Sequence, residues 1–324
     1  MDAAGAEVLV VIVKGSWTIC DGASLVPAEA QQPIHHAAVY AADSAVSSLI
    51  YDSDMVPEKP GIDCVLRGHA WAPTTNTREL DVTFAVGPVR KTVKVFGERV
   101  WQKRLGLCAA SKPVPFEKIP LSYERAFGGM DKSGDNAAEH EFCAENPVGV
   151  GFRARRSRLK VDGAALPNLE DPKSLLKKPS DRPKAAGFGM VAPAWQPRVR
   201  HAGTHDEHWR KYLSPLLPDD FDPRFYCAAA EGLTSAAFLQ GDEEVLVENA
   251  SPVGRLQLRL PGVRPRVTLR RDLRRLDLSL DLDTVVVEPD EARLQLVWRG
   301  RHRIEGRLDD YHWIRIGLEG GGHG

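Results

Sequence analysis

The sequence predicts a mainly β protein with antiparallel sheets, sandwich or barrel-like, a long Pro/Gly-rich loop region and a few short helices. Three observations carry this. The 324 residues include 28 glycines and 23 prolines, more than a helical bundle tolerates. Alternating, β-branched runs occupy both ends of the chain. The residues between them, 111–224, hold 13 of the prolines and 9 glycines and little periodic pattern of either kind. Sheet-forming portions are therefore expected at 7–110 and 236–318, around a loop-rich middle at 111–235, with a flexible tail at 319–324.

In chain order, the run from Val8 to Ile19 is β-branched and reads as a strand, with Lys14-Gly15-Ser16 as a bulge. The stretch from Asp52 to Pro60 contains two prolines and is irregular. Cys64 to Trp71 reads as a second strand. Between Val82 and Phe96, Val82, Phe84 and Val86 alternate with Thr83 and Ala85, Gly87-Pro88 breaks the run, and Val93 and Val95 alternate with Lys94. That pattern is a hairpin with one buried face.

In the middle, helices are expected only at Glu117 to Arg125 and Asp206 to Leu213. Phe188, Trp195, Trp209, Tyr212, Phe221, Phe225 and Tyr226 argue for ordered loops pinned by aromatic rings, because disordered segments are poor in them. Lys173 to Lys184 reads as an exposed basic loop.

Strands return after residue 250. Apolar residues take the even positions in Arg255–Leu260, the odd ones in Arg266–Arg270 and the even ones in Leu276–Leu282. With turns at Pro261-Gly262 and Asp272 to Arg275, this places Leu258 opposite Leu269 and Leu260 opposite Val267. It also places Leu269 opposite Leu278 and Val267 opposite Leu280. Arg270 then faces Asp277, and Arg266 faces Asp281. Arg293–Arg299 follows as a further strand, with another at Tyr311–Ile316.

Lys plus Arg is 43 and Asp plus Glu is 44, for a net charge of −1. This balance excludes a globally basic nucleic-acid binder and an acidic disordered chain. Residues 253–275 hold eight arginines and one aspartate, but 276–291 hold six acids and no Lys or Arg, so the expected register neutralises the arginines within the sheet. The second basic run, Arg153, Arg155, Arg156, Arg158 and Lys160, has no such partner in sequence and is a candidate contact patch. The apolar run Val8 to Val13 is too short to span a membrane and lacks a signal peptide's basic flank, which points to the cytoplasm and no membrane insertion. Five widely spaced cysteines without a C-x-x-C suggest neither disulfides nor a zinc knuckle.

For chemistry, His201, His205, Asp206 and His208 have spacing that would suit a metal on one helix face, the basis for an alternative reading as a metal-dependent hydrolase. Ala202-Gly203-Thr204 resists that helix, however, and no HExxH is present. No nucleophile elbow, phosphate-binding loop or dinucleotide fingerprint is found, so no enzyme and no cofactor is expected. Nucleic-acid binding through the basic runs is a further alternative.

The turn-rich pieces form an ordered set. It contains Ser53-Asp-Met-Val-Pro-Glu-Lys-Pro-Gly-Ile-Asp63, Phe96-Gly-Glu-Arg-Val-Trp101, Tyr123-Glu-Arg-Ala-Phe-Gly-Gly129, Glu145-Asn-Pro-Val-Gly149 and Leu166-Pro-Asn-Leu-Glu170. Gly187-Phe-Gly189, Trp195-Gln-Pro-Arg198, Ala202-Gly-Thr204 with Trp209, and Leu217-Pro-Asp-Asp-Phe-Asp222 complete it. Together they resemble a bacterial domain-of-unknown-function family whose genes accompany type VI secretion clusters, over almost the whole chain as one family domain at 1–318. The resemblance implies a non-enzymatic adaptor or chaperone that holds a secreted toxin effector, PAAR-type or similar, and assists its loading onto the VgrG spike. It assigns no roles to single residues. The motif positions Asp54, Lys59, Asp63, Arg99, Trp101, Arg125, Asn146, Asn168, Trp195, Arg198 and Trp209 are expected to tie loops together through buried rings and charge-assisted hydrogen bonds.

Overall fold

The computed structural model describes residues 6–20, 24–104 and 106–319; the expected tail beyond 319 lies outside them. The principal strands are β1 (Val8–Ile19), β2 (Leu25–Pro27), β3 (Ile62–Leu66), β4 (Glu79–Val86), β5 (Val89–Phe96), β6 (Leu169–Glu170) and β7 (Thr234–Ser235). They continue as β8 (Glu244–Glu248), β9 (Arg255–Arg259), β10 (Arg264–Arg271), β11 (Arg274–Leu278), β12 (Asp281–Glu288), β13 (Arg293–Arg303) and β14 (Tyr311–Glu319). They build a six-stranded sheet in the order β7-β3-β12-β13-β1-β2, a five-stranded sheet β6-β5-β4-β8-β9 and a three-stranded sheet β11-β10-β14. The protein is mainly β and largely antiparallel. None of these sheets closes into a barrel, and the helical elements are short turns.

The two larger sheets share one apolar core. Val82, Phe84, Val93, Val95, Val245, Val247, Leu256 and Leu258 from the five-stranded sheet cluster with Trp17, Ile62, Cys64, Leu66, Val285, Val287, Leu294, Leu296 and Trp298 from the six-stranded one. The expected hairpin supplies the centre of the former: Val86 opposes Val89 across Gly87-Pro88, and Gly87 takes the positive φ of 53° that the two-residue turn requires. The three-stranded sheet packs Val267 and Leu269 onto Val11 of β1.

The outer face of the six-stranded sheet is polar and nevertheless buried. Cross-strand register aligns Lys14, Val297, Thr284 and Asp63 in one row, and Ser16, Gln295, Val286 and Val65 in the next. A bulge between Leu282 and Thr284 turns Asp283 outward beside Thr284, where its carboxylate meets Arg299 at 2.7 Å. Irregular segments around residues 28–60 and 190–230 lie over this face and bring the counter-charges. Asp54 pairs with Lys14 at 2.9 Å, and Arg299 also donates to the carbonyls of Asp54 and Val56. Lys59 reaches both Asp63 and Thr284 at 2.8 Å, and Asp63 accepts the N–H groups of Ala228 and Ala229. At the far end, Glu288 accepts from Tyr51, Arg67, Arg293 and Gln295. Burial opposes the ionisation of Glu288, but the bonds from Arg293 and Tyr51 and the nearby Arg67 outweigh it and hold its carboxyl below the usual range.

Several sequence expectations are corrected. β1 pairs with β13 in one unbroken register from Val8 to Thr18, so there is no bulge at Lys14-Gly15-Ser16; the bulge is on β12. The run from Cys64 to Trp71 is broken at Gly68, whose φ is 146°. Glu117 to Arg125 is not a helix, because Lys118–Pro120 pairs as a strand with His69–Trp71 and only Tyr123–Arg125 makes a 3-10 turn. At Asp206–Leu213 the chain does turn helically, with a π turn over Trp209–Leu213. Arg255–Arg259 pairs with β8, not with β10, so Leu258 opposes Val245. β10 and β11 pair two residues out of the expected register: Val267 faces Leu278, Thr268 faces Asp277 and Arg270 faces Arg275. Asp281 belongs to a different sheet, opposite Arg299. The arginines of 253–275 consequently take their acids from elsewhere: Arg259 from Glu244 at 3.5 Å, Arg255 from Glu248 at 3.9 Å and Arg271 from Glu305 at 2.7 Å.

Asp283→Ala would leave the buried Arg299 guanidinium without its carboxylate, and a loss of about 3–5 kcal/mol is expected in urea unfolding. Acid sensitivity is the second expectation. Burial, then the nearby Lys14, lowers the pKa of His35 from its ordinary 6.5, and its Nε2 is buried without a partner. The folded chain thus binds fewer protons there than the unfolded one, so stability is present above pH 6.5 and falls as the pH drops through the lowered value. Thermal melts across pH 7 to 5 should show this decline in the wild type and a smaller one in His35→Phe.

Candidate partner-binding surface

The motif residues are joints between irregular segments. Arg99 is buried, bonds Glu170 at 2.5 Å and the Pro167 carbonyl at 2.7 Å, and lies 3.6 Å over the Phe96 ring. Glu170 in turn accepts the N–H of Leu176, and Leu176 packs with Trp101, Phe127, Cys143 and Leu166 in a second small core. Asn168 exchanges bonds with the backbone of Phe96 and receives Arg125, which also pairs with Glu98 at 2.8 Å. Asn146 donates to the carbonyls of Tyr123 and Phe127. Gly128, at φ 156°, passes so close that a Cβ there would stand 2.1 Å from the Asn146 carbonyl oxygen. Trp195 meets Tyr123 edge-on at 5.6 Å, and Arg198 joins Asp52 to the carbonyls of Val191 and Phe225. Trp209 donates to the Leu216 carbonyl. Phe188 and Trp195 anchor the middle as expected; Tyr212, 64% exposed, does not.

The histidines do not converge. His201 faces Asp222 at 3.3 Å, His205 meets Trp209 edge-on and His208 lies tilted against Tyr212. No three His, Cys, Asp or Glu side chains among the described residues are grouped to hold a metal ion. Burial pushes the Cys143 thiol up to about 11 and the Cys227 thiol up to about 12, which disfavours the thiolate.

The two basic loops of the middle come together. Arg182 donates to the Arg153 carbonyl and stacks over Phe152, closing a groove of about 510 Å³ lined by Arg153, Arg155, Ser157, Ser180 and Arg182. The run 153–160 has internal partners after all. Arg153 donates to the carbonyls of Leu159 and Lys160, and Arg158 makes a two-pronged pair with Asp135. Arg155 and Arg156 remain exposed and make no ion pair among the described residues. The loop is held from beneath by Asp131, 1% exposed, which accepts from Ser133 and from the Ala154 N–H. Burial opposes its ionisation, but these bonds and one from Ser157 outweigh it and hold the carboxyl well below the usual range. Sequence reading marked both loops as basic but missed Arg182 and Asp131 as the residues that join and support them. Asp131 is bonded by Ser133 beside it and by Ser157 and Ala154 more than twenty residues on, a combination that leaves no local signal.

The chain matches, over residues 4–299, the model of the family described as "Uncharacterized protein conserved in bacteria (DUF2169)", and it belongs to that family. No curated protein and no solved structure matches it.

Asp131→Ala should free the loop that carries Arg155 and Arg156. Limited trypsin digestion should cut there about tenfold faster, with a loss of about 1–3 kcal/mol in stability.

Proposed function

We propose that this protein is a non-enzymatic adaptor that binds a type VI secretion effector, PAAR-type or similar, and assists its loading onto the VgrG spike in the cytoplasm. The observation that carries this reading is the basic groove. Two loops far apart in sequence are locked against each other by Arg182, and Arg155 in its lining and the adjacent Arg156 are exposed and make no ion pair among the described residues. A preordered loop surface loses little entropy on binding, and unneutralised arginines favour an acidic strip on the partner. The type VI setting rests on the resemblance carried by the ordered motifs, and membership in a family of bacterial proteins is compatible with it. The partner is a protein, with no nucleic acid and no membrane insertion involved. Among the described residues no helix is long and apolar enough to cross a membrane.

The test is co-purification of the effector encoded beside the gene. Arg155→Glu with Arg156→Glu should weaken capture by about tenfold or more at low salt and leave the melting temperature unchanged. Undiminished capture by a folded double variant would remove the groove from the contact.

A further inference from the structure

The run Val8 to Val13, too short to span a membrane, becomes the first half of β1. β13 pairs with β1 along its whole length, but on the other side β2 pairs only with Trp17, Thr18 and Ile19. Among the described residues no strand lies beside Val8–Gly15 on that side. Ser16 shows which backbone groups point there. Its N–H and C=O bond the side-chain amide of Gln31 at 2.7 and 3.1 Å, and its C=O also accepts the N–H of Ala28. By the two-residue period of a strand, the N–H and C=O of Lys14, Ile12 and Val10 project to the same side. Lys14 bears this out: its side chain is only 4% exposed while the residue as a whole is half-buried, so its accessible surface is backbone.

Proteins usually blunt such an edge with proline, a bulge or an outward charge. Val8–Gly15 contains no proline, runs in unbroken register, and commits its one charge to Asp54.

The space beside the edge has an apolar roof. β11 contacts β13, and Val267 and Leu269 of β10 pack on Val11 of β1, so β14, the next strand outward, projects beyond β1. Ile314 and Ile316 oppose Leu269 and Val267 in register. Leu269 and Val267 are fully buried, yet Ile314, Ile316 and Leu318 are 46%, 51% and 69% exposed. They overhang a place where the sheet beneath lacks a strand.

We propose that an extended apolar segment of a partner polypeptide, about six to eight residues long, adds to the free edge of β1 and fills the space under β14. Its backbone would continue the six-stranded sheet, and alternate side chains would cover Ile314, Ile316 and Leu318. A second copy of this chain does not fit. Pairing β1 with β1 would bring the other copy's β10 to the position that β14 occupies. This inference rests on the adaptor reading for the nature of the partner, but its test does not.

The probe is a fluorescein-labelled peptide in which Val and Ile alternate with Thr over eight residues between terminal lysines. A version with a central proline is the control. The intact chain should bind the first saturably and the second about tenfold more weakly, and amide exchange at Val10, Ile12 and Lys14 should slow on binding. Ile316→Glu, at an exposed position, should weaken binding about tenfold without changing the melting temperature. Ile12→Pro should do the same by removing an outward N–H. Failure of the alternating peptide to bind, or binding that leaves those amides and the Ile316→Glu variant unaffected, would overturn the proposal. So would a dimer of the free chain with the same amides protected. The Arg155/Arg156 capture assay reads a different surface, so loss of either contact leaves the other separately measurable.

Discussion

The fold depends on the neutralisation of one charged sheet face. Lys14, Asp63, Asp283, Glu288, Arg293 and Arg299 lie on the outer side of the six-stranded sheet, and charges removed from water are costly unless paired and hydrogen-bonded. The counter-groups come from segments without regular structure, so each layer makes the other possible. The sheet presents fixed charges that order the loops, and the loops supply Tyr51, Asp54, Lys59 and the amides of Ala228 and Ala229 that make the sheet's charges tolerable. A Pro-rich region, which also packs Tyr123, Phe188, Met190 and Trp195 into the main core, is thereby held in one conformation. Arg99 and Arg198 apply the same device further out, each joining a carboxylate to backbone carbonyls.

This dependence explains what could be read from the sequence. The hairpin of β4 and β5 was legible because its alternation is strict and its turn is a two-residue Gly-Pro. In the last third, the apolar parity correctly identified the faces but not the partners. Asp272 adopts a φ of 49°, which permits a tight turn through Asp272-Leu273 and moves the register of β10 and β11 by two residues. Aspartate followed by leucine does not announce such a turn as Asn-Gly would. β9 pairs backward with β8, because Val245 and Val247 complete the core face that Leu256 and Leu258 continue. Local order in the sequence gave no hint of that. The exposure of Arg155 and Arg156 was legible from a basic run in a loop, whereas the pairing of Arg158 with Asp135 spans 23 residues of irregular chain and leaves no periodic trace.

The two surfaces proposed for binding differ in kind, and the difference follows from how the fold spends its charges. Around the groove, Arg158 is paired with Asp135, whereas Arg153 and Arg182 bond carbonyl oxygens and keep their charge, so the net field comes from Arg153, Arg155, Arg156 and Arg182. A contact made by exposed charges forms quickly and weakens with salt, since the Debye length at physiological ionic strength is about 8 Å. The β1 edge carries no free charge, because Asp54 takes up Lys14. Its attraction is backbone pairing and apolar burial, which salt leaves nearly unchanged.

A partner engaging both surfaces would therefore show two-part behaviour. An electrostatic encounter at the loops would set the association rate, and the edge would set the lifetime. The geometry favours this division, because the loops are held by hydrogen bonds at the periphery while β1 is fixed by eleven residue pairs to β13 at the centre of the sheet. The rigid element suits the contact that demands register, and the loop suits the contact that demands only charge. The proposed adaptor role would gain from that separation, since the salt-sensitive contact alone can be lost without unpairing the strand.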